Sequence, residues 1–165
     1  MNKKISLRTV AVLALLTALE IVVSRFLSIS TESIKIGFSF LVVAFAAREY
    51  GVAGGAVVGG LGDLVGAIAF PIGPYFPGFT LTAALCGATY GLVLKKYDFW
   101  RILLSLVINN FLLGGALNTL WISLLYGSPF AVLLPLRLMQ AAVMTVVGIP
   151  ALYFMNKYMP KLNFK

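Results

Sequence analysis

An all-α integral membrane protein of six transmembrane helices, with both ends in the cytoplasm, is the fold class this sequence predicts. Three observations lead there. The 165 residues are 61% hydrophobic and 11% charged, against roughly half and a quarter in soluble domains. The apolar residues form runs suited to a bilayer core of about 30 Å. The cations gather beside those runs rather than within them.

A soluble fold of this length could not hide so much apolar surface, so the excess faces lipid and residues 1–165 read as one membrane domain. The first run, residues 7–29, follows Lys3, Lys4 and Arg8 and imitates a signal peptide. No small-x-small cleavage site precedes Glu20, which predicts an uncleaved first helix. The second run, 36–47, is short and needs tilt, or protein cover in place of lipid. Runs three to six cover about 52–70, 79–94, 100–125 and 130–158.

Orientation follows from charge. Ten of 13 cations sit in the N-terminal segment, the 47–51 turn, the 95–101 turn and the C-terminal segment. With six spans those four segments share one side, which the positive-inside rule makes cytoplasmic. The net charge of +8 therefore reflects topology, with no basic module for nucleic acid. Arg25, Lys35 and Arg137 break the rule by falling at the outer ends of spans one, two and six. Glu20 and Asp63 lie within spans, where ionisable groups are costly and point to a partner or a site.

Cys86 is the sole cysteine and histidine is absent, which excludes an internal disulfide, His-based triads and His metal sites. No metal or cofactor is expected. Glycines repeat along span three (Gly51, Gly55, Gly59, Gly62, Gly66) and recur in span four (Gly87, Gly91), a pattern for close helix packing in lipid. Gly60–Gly66 has the wrong spacing for a dinucleotide loop and no preceding strand. Ala14 and Ala18 make a smooth face on span one. Spacing alone favours packing inside the chain over docking on another subunit.

Between spans three and four, residues 70–79 hold three prolines and four aromatics. Proline restricts the backbone, so a shaped aromatic loop is expected above the bundle, a suitable lid for a flat ligand.

The segment Asp63-Leu-Val-Gly-Ala-Ile-Ala-Phe-Pro-Ile-Gly-Pro-Tyr-Phe-Pro-Gly-Phe-Thr-Leu-Thr82 resembles the centre of the folate-family S components of energy-coupling factor (ECF) transporters. Val23-Ser-Arg-Phe-Leu27, Lys35-Ile-Gly-Phe-Ser-Phe40, Leu117-Asn-Thr-Leu-Trp121, Leu125-Tyr-Gly127 and Leu134-Pro-Leu-Arg137 agree in order. The resemblance spans nearly the whole chain. In one departure, Gln140 stands where the folate pattern carries a lysine.

The resemblance implies a RibU-like six-helix bundle in a prokaryotic cytoplasmic membrane. It implies a subunit that captures a vitamin from outside and works with a membrane coupling subunit and two cytoplasmic ATPases. It also makes Ala14 and Ala18 the docking face, reversing the reading from spacing. The chain has no Gly-x-x-x-x-Gly-Lys-Ser/Thr loop, so ATP hydrolysis falls to a partner.

For folate, ring-stacking candidates are Phe70, Tyr75, Phe76, Phe79, Trp121 and Tyr126. Arg25, Lys35 and Arg137 are candidates for the carboxylates. Asp63 could accept from the pterin edge or pair with Arg25, and Asn118 could read a ligand edge. A straight span one sets Arg25 about 20° from Ala14, on the alanine face and away from a pocket. Alternatives are the same scaffold binding pantothenate or riboflavin, and a stand-alone secondary transporter. A membrane enzyme lacks an activated nucleophile here.

Overall fold

The computed structural model describes residues 6–30, 35–95 and 98–159, apart from the side chains of 29, 30 and 35. In order come α1 (Leu7–Phe26), the strands β1 (Ile29–Ser30) and β2 (Lys35–Ile36), α2 (Ser39–Ala69) and α3 (Pro77–Val93). Then follow α4 (Phe99–Val107), a π-helical stretch (Ile108–Leu117), α5 (Asn118–Tyr126) and α6 (Phe130–Tyr158). The two short strands pair antiparallel, Ile29 with Ile36 and Ser30 with Lys35. Everything else of regular structure among the described residues is helical, as the composition predicts.

Among the described residues, four stretches are long and apolar enough to cross a bilayer: α1, α2, Phe99–Tyr126 and α6. α2 is not one rod. Gly51 has φ 71° and ψ −160°, a conformation that glycine adopts without the Cβ penalty, and the chain reverses there. A Cβ built on Gly59 would lie 3.5 Å from Val43 Cγ1, and one on Gly55 2.8 Å from Ala47 Cβ. Residues 43 and 59 would stand about 24 Å apart in a straight helix. Residues 39–50 and 52–69 therefore form an antiparallel hairpin with no connecting loop. The expected 47–51 turn is helical up to its last residue. The shorter arm, near 18 Å long, is covered by protein: Val42, Val43, Ala44, Ala46 and Ala47 are all buried.

The longer arm packs antiparallel on α3 through the glycines picked out above. Added Cβ atoms at Gly55 and Gly87 would each overlap the other's carbonyl, and one at Gly91 would reach 2.5 Å from Val52 Cα. This is the small-residue contact of membrane helices, where backbones approach without side chains between them.

α1 runs parallel to that longer arm. Its buried row is Leu16, Glu20 and Ser24, with Ile21 beside it. Ala14 and Ala18 are exposed, about 140° around the helix from that row. Packing inside the chain does not account for the alanines, because nothing among the described residues covers them.

Burial is uneven along the bundle. Ile102, Leu106, Leu152, Val58 and Tyr90 form a dense core with the shorter arm of α2. That core fills the end where Gly51, the α3–α4 connection and the C-terminus of α6 meet. Arg48 lies there with its side chain 5% exposed, 3.6 Å from Glu49 Oε1, rather than as a free flanking cation. The other end, below residues 70–76, is hollow.

The glycine contact gives a direct test. Gly87→Val should lower the stability of the purified protein by about 2 kcal/mol or more through overpacking, read as a drop of several degrees in the melting temperature in detergent.

Candidate ligand-binding site

A cavity of about 390 Å³ occupies the hollow end, within the range of small-molecule sites. α1, both arms of α2, α3, the π stretch, α5 and α6 all contribute walls. Residues 72–76 line one end of it, and α3 starts immediately beyond with Pro77 in its first turn, where a missing N–H costs nothing.

The aromatic loop is braced from below. Phe76 lies 5.6 Å from the Trp121 ring and 6.0 Å from Phe79, the latter edge to face. The Trp121 indole N–H donates to Thr82 Oγ1 at 3.0 Å, and Thr82 donates to Gly78 O at 2.9 Å. A Cβ on Gly78 would collide with Trp121 at 2.7 Å, so glycine lets the indole sit flush against α3. Phe76, Phe79, Tyr75 and Tyr126 line the cavity. Trp121 and Phe70 do not belong to its lining. The first stands behind Phe76, and the second meets Phe26 edge to face at 5.1 Å. Both expected stacking positions thus fall to the supporting layer, because side-chain direction follows packing as well as loop level.

The charged lining consists of Glu20, Arg25, Asp63 and Arg137. Arg25 Nη2 sits 3.5 Å from Asp63 Oδ1 and donates to the Asp63 carbonyl at 3.3 Å. Asp63 Oδ2 accepts from Thr80 Oγ1 at 2.9 Å, and Thr80 lies 3.4 Å from the Tyr75 hydroxyl. Asp63 therefore has an internal partner, one of the two readings its position allowed. Arg25 escapes the alanine face because its long side chain crosses to Asp63. The bare backbone of Gly66 admits it: a Cβ there would lie 2.8 Å from Arg25 Nε.

Arg137 is half-buried and meets no carboxylate among the described residues. Its Nε is shielded from solvent without a hydrogen-bond partner. Lys35 belongs to β2, and its side chain lies outside the described residues.

The π stretch is what the sequence reading missed. Asn109 and Asn118 are nine residues apart, hence 180° apart on an α-helix. Both line the cavity. Ten residues of π-helix, whose bonds run i to i+5, change the phase and bring Asn109, Asn110, Gly114 and Asn118 to one wall. The paired glycines Gly114 and Gly115 inside a span were the available signal. Glu20, Cys86 and Gln140 also line the cavity without having been assigned to it.

A roofed cavity inside an apolar helix bundle, with guanidinium groups and rings in its walls, defines a membrane-embedded ligand-binding subunit. The family model of the ECF transporter substrate-specific component matches residues 8–155. The chain belongs to that family, whose members bind and carry substrates rather than catalyse reactions. It is 37% identical over 153 residues to a curated folate transporter FolT of Clostridium novyi (strain NT), covering 92% of this chain and 89% of that one. It is 26% identical over 160 residues to a FolT of Leuconostoc mesenteroides subsp. mesenteroides, covering 92% and 86%. A crystal structure of FolT bound with folic acid superposes with a TM-score of 0.85 at 31% identity, covering 93% of this chain and 94% of that one.

The Arg25–Asp63 pair is testable alone. Arg25→Ala and Asp63→Ala should each cost about 1–2 kcal/mol of stability, because each leaves a partly buried charge without its partner. The double variant should lose less than the sum, as measured by a thermal double-mutant cycle.

Proposed function

We propose that this chain is the folate-capturing subunit of an ECF-type importer. One observation carries the proposal: a ring-lined cavity contains a guanidinium, Arg137, with no carboxylate partner among the described residues. A buried arginine of this kind favours an anionic ligand that completes its fork. The folate transporters of similar sequence and the folic acid bound in the related structure support folate as that ligand.

In this reading Arg137 holds a glutamate carboxylate, with Arg25 and Lys35 adding positive potential. Phe76, Phe79, Tyr75 and Tyr126 enclose the flat part of the ligand, and Phe70 and Trp121 brace that enclosure. Asn118 offers an amide to the ligand edge. Asp63 fixes Arg25 and, through Thr80, ties α2 to the loop side of α3.

The reading includes a topology. The α2 hairpin supplies two spans, and α3 at 17 residues supplies another about 26 Å long. With α1, Phe99–Tyr126 and α6 the total is six, with both ends in the cytoplasm and the cavity facing outward. The ten flanking cations support that orientation. The exposed Ala14/Ala18 face then docks on a membrane coupling subunit, and two cytoplasmic ATPases supply the energy this chain lacks.

Isothermal titration of the detergent-purified protein should show sub-micromolar folate binding, with Arg137→Ala weakening it at least about 30-fold. Tight riboflavin or pantothenate binding without a folate response would sink the assignment. Ala18→Leu should leave folate affinity within about twofold while cutting uptake in cells that carry the full complex. The same variant retaining full uptake would remove the alanines from the docking role.

A further inference from the structure

The cavity is polarised along its depth, and the residue that defines its floor is Asn109. Three contacts set the register between the fifth and sixth spans. A Cβ on Gly148 would lie 2.8 Å from Leu106 Cδ2, Asn110 Nδ2 donates to Thr145 Oγ1 at 3.0 Å, and Gly115 faces Leu138 Cδ2 at 3.6 Å. In this antiparallel register Arg137 is level with Asn118, and Asn109 is level with Thr145. The floor thus lies up to about 13 Å below the arginine layer. Both arginines and Asp63 belong to the upper layer. Around Asn109 the lining is neutral, with Cys86, Ala141 and Met144.

Asn109 is 4% exposed. Its Nδ2 donates to the Cys86 carbonyl at 3.4 Å, and its Oδ1 has no donor among the described residues. The opposite amide orientation would set the oxygen against the Cys86 carbonyl, two acceptors facing each other, so the network itself fixes which atom is left over. Bridging helices would explain the donor half of the amide. It leaves the acceptor half without a purpose, and a buried acceptor with no donor is costly. The π stretch exists at this level and turns Asn109 towards the cavity wall, where an α-helix would carry it away from Asn118.

We infer that Asn109 is a specificity-determining residue whose amide oxygen accepts a hydrogen bond from an N–H group on the buried ring of the ligand. The inference rests on the folate reading and deepens it. A ligand held by its carboxylate at Arg137 reaches the floor with its opposite end, which in folate is the 2-amino-4-oxopteridine (pterin) ring. The floor therefore selects an amino-substituted ring edge over one that presents an oxygen, because an oxygen there would leave two acceptors opposed. Sites built to receive a donor reject analogues that lack it more strongly than apolar pockets reject an extra group.

The test compares folic acid with its 2-deamino-2-oxo analogue by calorimetric titration of the full-length protein in detergent. Wild-type protein should prefer folic acid by about tenfold or more, the worth of one satisfied buried hydrogen bond. Asn109→Leu should weaken folic acid about tenfold, leave the analogue within about twofold, and bring the ratio near one. Asn109→Asp, whose neutral carboxyl donates its O–H to the Cys86 carbonyl and keeps the other oxygen as an acceptor, should retain the preference and answers for Asn109→Leu if that variant does not fold. A preference unchanged in Asn109→Leu, or lost in Asn109→Asp, overturns the assignment while leaving the folate reading intact. Wild-type protein that binds neither compound overturns both.

Discussion

The structure depends on one contact without side chains, where the longer arm of α2 meets α3 at Gly55 and Gly87. Neither position can accept a Cβ without entering the other's backbone. In lipid there is little hydrophobic gain from joining two helices, so shape and close approach must hold them. That approach sets the angle and level of both helices. It carries Asp63 to Thr80 and Gly78 to Trp121, so the aromatic loop is aimed by a contact several turns below it. The hollow end is the counterpart: the residues that would fill it are small along α2, and α3 cannot move in to close it.

Charge inside the cavity follows the same frame. Four ionisable groups in an apolar bundle would be prohibitive if isolated, since low-dielectric surroundings favour only compensated charge. Glu20 packs on the bare backbone of Gly62, and Arg25 on that of Gly66. The glycine stripe thus does double work, admitting α3 on one side and the charged side chains of α1 on the other. Arg25 is paired with Asp63, while Arg137 meets no carboxylate among the described residues. The two arginines of one cavity thus differ in their partners, a distinction their positions in the sequence do not make.

Much of this was legible in the sequence. The helical class, the apolar helix at 130–158 and the glycine packing follow from hydropathy and spacing, and they hold, while α3 begins two residues before the expected 79, at Pro77. Tyr75, Phe76, Phe79 and Tyr126, expected at the outer helix ends and loop, stand among the residues that line the cavity. What failed depended on a regular period. Assuming 100° per residue placed Arg25 on the wrong face and hid the shared wall of Asn109 and Asn118. A long side chain crossing bare glycine backbone takes Arg25 off that face, and a π-helical phase change brings the two asparagines to one wall. The turn expected around 47–51 proved to be a helix reversing on one residue, because hydropathy dips at Arg48 and Glu49 whether or not a loop exists there. Phe70 and Trp121 were placed at the correct level but not in the correct layer.

The reversal at Gly51 has a consequence for where the molecule can yield. Two rods joined by a single residue have no slack, and the neighbouring core leaves no empty volume to move into. The opposite end has seven residues of loop above a void. The bundle is thus anchored at one end like the hinge of a clothes-peg, and compliance is confined to the jaws. Any opening of the cavity therefore falls to the loop end, where residues 72–76 stand over it.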